Sequence, residues 1–270
     1  MTNFNTKEEL QTAVNSFCAG TWTGDDINSW NVSNVTNLDN LFHNKTQFNS
    51  NINNWNVSNV TSMQYTFQNA STFNQPLNNW NVSNCQNMSY LFASTTSFNQ
   101  NINNWNVSNV TTFNATFYNT ASFNQPLNNW NVLNATYMGG MFQSAVEFNQ
   151  PLNNWDVSNV NYADYMFFDA ILFNQSLNTW NLSNVNNYFK MFYGASSFNQ
   201  PLNNWNVSNG SNFSGMFKLT SYNQDLSSWD VSSSANTVDF YNNGDFSNYS
   251  NEFNTSGNAS GDPFITPLII

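Results

Sequence analysis

Phe73-Asn74-Gln75-Pro76-Leu77-Asn78-Asn79-Trp80-Asn81-Val82-Ser83-Asn84 decides how the chain is read, because close copies of this stretch recur down most of the sequence. Trp30, Trp55, Trp80, Trp105, Trp130, Trp155, Trp180 and Trp205 fall every 25 residues, and Trp229 follows after 24. Phe48, Phe73, Phe98, Phe123, Phe148, Phe173 and Phe198 keep the same beat, and Tyr222 closes that series. A second Phe column runs through Phe42, Phe67, Phe92, Phe117, Phe142, Phe167, Phe192 and Phe217. Self-similarity at a fixed period predicts a solenoid, in which each unit buries its apolar face only against its neighbours. Trp55, Trp80, Trp105, Trp130, Trp155, Trp180 and Trp205, with Phe67, Phe92, Phe117 and Phe142, form the expected core.

Periodicity divides each unit. Around Trp55 the apolar positions are Ile52, Trp55, Val57, Val60, Met63, Phe67, Ala70 and Phe73. Alternation at Trp55-x-Val57 has the period of a strand and sends Asn54, Asn56 and Ser58 outward. From Val60 the spacing becomes three, four and three, the period of a helix, with Ser58 or Asn59 as its N-cap. A return segment follows, and Pro76, Pro126, Pro151 and Pro201 give it an extended or turn backbone. One short parallel strand plus one short helix per unit predicts an α/β solenoid of about 40 Å at the sheet spacing.

The block Phe-Asn-Gln-Pro-Leu-Asn-Asn-Trp-Asn-Val-Ser-Asn-Val-Thr-x-Met-x-x-x-Phe resembles the BspA-like leucine-rich repeat surface-protein family over roughly residues 6–232. The resemblance implies a right-handed leucine-rich-repeat solenoid. It also implies an extracellular, cell-surface or virion location, and binding of proteins on a host or matrix surface. This chain uses Asn where many relatives use Asp, which argues against cation binding along the turns.

Residues 1–29 read as a helical N-terminal cap, 30–232 as a solenoid of about eight to nine rungs, 233–260 as a C-terminal cap and linker, and 261–270 as an apolar tail. In the first segment Thr6 is the N-cap of a helix to Cys18, Glu9 completes a capping box and Gly20 follows the end. Leu10, Val14 and Phe17 share the face that would cover the first rung. Trp22 and Ile27 would link this cap to Trp30. In the tail, Phe264, Ile265, Leu268, Ile269 and Ile270 are β-prone and apolar. They could fold back on the cap or dock on a second copy of the chain.

Composition excludes several classes. The chain is 270 residues long with a net charge of −11, no Arg, and Lys7, Lys45, Lys190 and Lys218 as its only Lys and Arg cations. Phosphate neutralisation needs clustered basic residues, so a nucleic-acid partner is not expected. No apolar run approaches the roughly 18 residues of a membrane span. No basic-then-apolar leader follows Met1, so no export signal is expected in the chain as it stands. Cys18 and Cys85 should lie about 10 Å apart, two rungs at the sheet spacing, which is too far for a disulfide. Both are expected as free, buried thiols.

Enzymatic signals are absent. His43 is the only histidine and reads as a surface residue, and no His, Cys or carboxylate grouping has metal-ligand spacing. Neither a metal nor a cofactor is expected. The extended candidate is the outward strand face of Asn54, Asn56, Asn79, Asn81, Asn104, Asn106, Asn129, Asn131, Asn154, Asp156, Asn204 and Asn206. These groups could satisfy one another as ladders, or bind a glycan or protein on a cell or matrix surface. Asn31, Asn34, Asn59 and Asn109, with Asn56, Asn81, Asn106 and Asn206, also match the glycosylation acceptor pattern. Two functions follow: an adhesin or interaction module using that face, or a structural subunit assembled through its caps and tail from copies of itself.

Overall fold

The computed structural model describes residues 1–232 and 235–241. The tail residues Phe264, Ile265, Leu268, Ile269 and Ile270 lie outside the described residues, as does most of the expected C-terminal cap.

The first element is helix α1, Lys7–Cys18, preceded by Thr6 as N-cap. The Glu9 N–H donates to Thr6 Oγ1 at 3.2 Å, and Glu9 Oε2 accepts the N–H of Asn5 at 2.8 Å, one residue before the cap. Orphan donors of the first turn are thereby satisfied from both sides. Leu10, Ala13 and Val14 are buried in the common core. Gln11 Nε2 donates to the Leu41 carbonyl at 2.9 Å, and the Phe17 ring meets Trp30 at 6.1 Å, so the helix lies on the first unit. A 3-10 turn at Ile27–Ser29 follows.

Beyond that point every unit repeats one backbone design. Parallel bridges join Asn37 to Ser62, Ser62 to Asn87 and so on to Asn212 and Asn236. Each therefore pairs residues 25 positions apart, except the last, which spans 24. The N–H groups of Leu38, Asn40, Phe42 and Asn44 donate to the carbonyls of Ser62, Gln64, Thr66 and Gln68 at 2.8 to 2.9 Å. The intervening N–H groups of Leu41, His43 and Lys45 turn back to carbonyls three residues earlier at 3.0 to 3.1 Å. Donors thus alternate between the next unit and their own turn, and the backbone is satisfied without a continuous helix or strand.

That arrangement corrects the expected content of a unit. Neither the strand at Trp55-x-Val57 nor the helix from Val60 is present; among the described residues α1 and the 3-10 turn are the named helices. The inward and outward alternation is real, since Trp55 and Val57 are buried and Asn56 is exposed, yet the Trp55 and Val60 N–H groups close turns onto Ile52 and Val57. Spacing of three, four and three arises from consecutive turns in which the chain passes through left-handed backbone. Asn40, Asn44, Tyr65, Asn69, Tyr90 and Ser94 have φ between 55 and 61°, and glycine takes the same places at Gly140, Gly194 and Gly215. No α-helix accommodates such residues.

The core lies between the turn ribbon and the Trp segment. Trp55, Trp80, Trp105, Trp130, Trp155, Trp180 and Trp205 are 2 to 3 % exposed, and consecutive indoles stack at 6.3 to 6.5 Å from Trp55 to Trp180. Each indole also carries a polar bond between units. Trp80 Nε1 donates to the Ile52 carbonyl at 3.0 Å, Trp105 to Leu77 at 3.0 Å and Trp155 to Leu127 at 2.9 Å. Phe67, Phe92, Phe117 and Phe142 are fully buried, stacked at 5.5 to 5.8 Å on one another.

The cysteines differ from expectation. Both are free, and Cys85 is buried with its thiol pushed up to about 12 by desolvation. Cys18 is exposed, although four-residue spacing puts it on the Leu10 and Val14 side of α1; it is the last residue of the helix.

Candidate functional site

Two long surfaces flank the core, and the amide-rich one is largely occupied with building the stack. Asn56, Asn81, Asn106, Asn131, Asp156 and Asn206 are exposed, and each turns a side-chain oxygen back onto the N–H two residues on, at 3.0 to 3.2 Å. These are Asx turns, which order the local backbone. Hydrogen bonds from the Ser158 hydroxyl and N–H hold the Asp156 carboxyl below its usual range. Asn54, Asn79, Asn104, Asn129, Asn154 and Asn204 are also exposed. Side-chain amide bonds between units run one position earlier, from Asn53 to Asn78 at 3.1 Å and from Asn178 to Asn203 at 3.2 Å.

A second amide column, not assigned a role by sequence reasoning, locks the return segment. Asn74 Oδ1 accepts the Asn99 N–H at 3.0 Å and Gln100 Nε2 at 2.9 Å, and Asn99 Oδ1 receives Asn124 and Gln125 at 3.0 Å each. The Phe-Asn-Gln motif is therefore a connector between units.

The other surface is the turn ribbon, and here the units cease to resemble one another. At one outward column stand Asn37, Ser62, Asn87, Thr112, Tyr137, Tyr162, Asn187 and Asn212. At a left-handed column stand Asn40, Tyr65, Tyr90, Ala115, Gly140, Tyr165, Lys190 and Gly215. Tyr65 stacks on Tyr90 at 4.9 Å, Tyr137 on Tyr162 at 5.1 Å, and Phe168 on Tyr193 at 4.8 Å. Lys190 Nζ lies 5.1 Å from the Phe189 ring centre and 5.3 Å from that of Tyr193, a cation–π arrangement.

Acidic groups sit among these rings. Asp164 Oδ1 is buried without a hydrogen-bond partner, beside the point where Tyr137 crosses Gly139. Desolvation pushes the carboxyls of Asp164 and Asp169 above their usual range, and it raises the hydroxyls of Tyr137 and Tyr165 as well, the nearby Asp164 charge adding to both. Among the described residues the ion pairs join Met1 to Asp25 and Lys218 to Asp239, leaving Asp164 and Asp169 outside any. The same residues contain no group of three His, Cys, Asp or Glu able to hold a metal, and no helix long and apolar enough to cross a membrane. His43 is half-buried, with Nδ1 3.2 Å from Asn40 Oδ1.

Sequence reasoning did not find this face. The signal was available, because the x positions of Met-x-x-x-Phe and the residues just either side of that block differ from unit to unit and hold Tyr65, Tyr90, Tyr118, Tyr137, Tyr162, Tyr165 and Tyr193.

These features define a tandem-repeat protein whose units are held to their neighbours by main-chain bonds, amide columns and stacked rings. The model of a family described as Mycoplasma protein of unknown function, DUF285, matches residues 9–122, 100–198 and 178–261, and the chain belongs to that family. No curated protein and no solved structure matches it.

Proposed function

We propose that the chain is a solenoid acting as a non-enzymatic interaction module, displayed at a surface and related to the BspA-like leucine-rich repeat proteins. Its binding face in this reading is the turn ribbon rather than the Asn and Ser face. The observation that carries the proposal is where the units vary. Trp105, Phe123 and Asn124 have counterparts in nearly every unit, whereas the ribbon positions change from unit to unit. A constant frame bearing a varied Tyr, Ser, Asn and Gly surface has the chemistry of adaptable protein recognition. Asx turns at Asn56 and its counterparts give the amide face a sufficient structural role.

The test is adherence of the immobilised full chain to arrayed serum, matrix and membrane-surface proteins and to glycans. Combined Tyr162→Ser, Phe168→Ser and Tyr193→Ser should abolish the strongest signal. Combined Asn54→Ser, Asn104→Ser and Asn129→Ser should leave it. The reverse pattern would return the site to the amide face, and no binding to any arrayed molecule would defeat the interaction-module reading.

A further inference from the structure

We infer that the ribbon of the Trp155 unit, from Tyr162 to Leu172, is the docking site for a protein partner that presents arginine or lysine beside an apolar side chain. The inference rests on the interaction-module reading and narrows it to one place and one partner chemistry.

Position comes from the distribution of exposed apolar groups. Tyr162 is 43 % exposed, Ile171 37 % and Leu172 43 %, three large apolar side chains within one ribbon. Where this unit has Ile171-Leu172, other units carry Ser71-Thr72, Thr96-Ser97, Ala121-Ser122, Val146-Glu147 and Ser196-Ser197. Single exposed apolar residues are ordinary on a protein surface, but three in one unit are more than any other described unit exposes. The half-buried Phe168 ring adds to these groups, and those of Tyr137 and Phe189 lie on the adjoining units. Aromatic enrichment is part of the composition of an interface centre.

Ring geometry favours a polypeptide over a sugar. Tyr137 and Tyr162 stack on each other at 5.1 Å, and Tyr165 meets Phe189 edge-on at 5.1 Å. One face of each stacked ring is taken up by its neighbour, which reduces the flat area that a saccharide ring could use. Charge then selects the partner's sign. Asp164 and Asp169 are half-buried carboxylates in this unit without an ion pair, so a basic group docking here would meet uncompensated negative charge. Lys190 already rests against Phe189 and Tyr193, so the surface is of a kind that holds a cation over its rings. A second copy of this chain, at −11 with four lysines and no arginine, would bring mostly like charge.

The experiment is selection of a phage-displayed random peptide library on the immobilised full chain. Peptides combining Arg or Lys with aromatic or aliphatic residues should be enriched, and their binding should weaken as salt rises. Tyr162→Ser and, separately, Asp164→Asn should each weaken that binding at least about tenfold, as loss of a central anchor does. Asp164→Asn removes a desolvated charge, so thermal unfolding of that variant should show an intact fold. Enriched peptides that are neutral or acidic, yet lost with Tyr162→Ser, would overturn the basic partner and leave the interaction face standing. Failure to enrich any peptide, or glycan binding that Tyr162→Ser removes, would also overturn the inference. Enrichment indifferent to every ribbon variant would overturn both.

Discussion

Tryptophan rather than leucine or phenylalanine repeats through the core because the position asks for two things at once. Trp105 is 3 % exposed and stacks between Trp80 and Trp130 at 6.4 and 6.5 Å. Its Nε1 also donates to the Leu77 carbonyl at 3.0 Å, in a place where water cannot substitute. The two contributions separate by mutation. Trp105→Ala removes both and should cost about 3 to 5 kcal/mol, the range for large buried aromatics. Trp105→Phe keeps most of the stacking but orphans the carbonyl, which should cost about 1 to 3 kcal/mol. Urea unfolding of each variant measures the difference. Equal losses would mean that the indole hydrogen bond contributes nothing, and a negligible loss for alanine would mean that the ring is not part of the core.

At the scale of the element, sequence and structure part company over the ribbon. Burial at Val60, Met63, Phe67, Ala70 and Phe73 has helical spacing, and periodicity alone cannot tell a helix from successive turns that bury the same side chains. What separates them is the sign of φ, signalled indirectly by Asn40, Asn44, Asn69 and Asn119 and by Gly140, Gly194 and Gly215, residues that tolerate left-handed backbone. The core columns and the 25-residue beat were legible because each depends on residue type alone. α1 was legible because its cap, apolar face and terminating Gly20 are local features. The turn face was not, since a binding surface has no required period. The Phe-Asn-Gln column shows what a repeated polar residue can do for an element. Asn99 Oδ1 serves the N–H of Asn124 and Nε2 of Gln125, both at 3.0 Å. Asn99→Ala should therefore cost about 1 to 3 kcal/mol in thermal or urea unfolding, the penalty for stranding partly buried donors. Asn99→Asp retains an acceptor and should recover most of that loss at neutral pH. If aspartate were as damaging as alanine, the acceptor role would be wrong.

For the molecule as a whole, the pattern of bonding is that of a one-dimensional chain of units. Main-chain bonds, Trp bonds and amide bonds between units all run to an adjoining unit, as Phe42 to Thr66, Trp80 to Ile52 and Asn99 to Asn74 illustrate. Stability should then be local, set by each unit and its two interfaces. α1 is the place to test this, because it covers one end and buries Leu10 completely. Leu10→Asp puts a charge where no partner awaits it and should release the helix from the first unit. Hydrogen exchange should then lose protection at the amides of Asn40, Phe42 and Asn44, which bond to the next unit at 2.8 to 2.9 Å. Amides of Tyr165, Phe167 and Asp169, several units away with bonds of 2.7 to 2.9 Å, should keep theirs. A graded loss that fades along the stack fits coupling between nearest neighbours. Uniform loss at both places would mean that the stack melts as a single cooperative body, and the turn face could not then vary in one unit without cost to all the others.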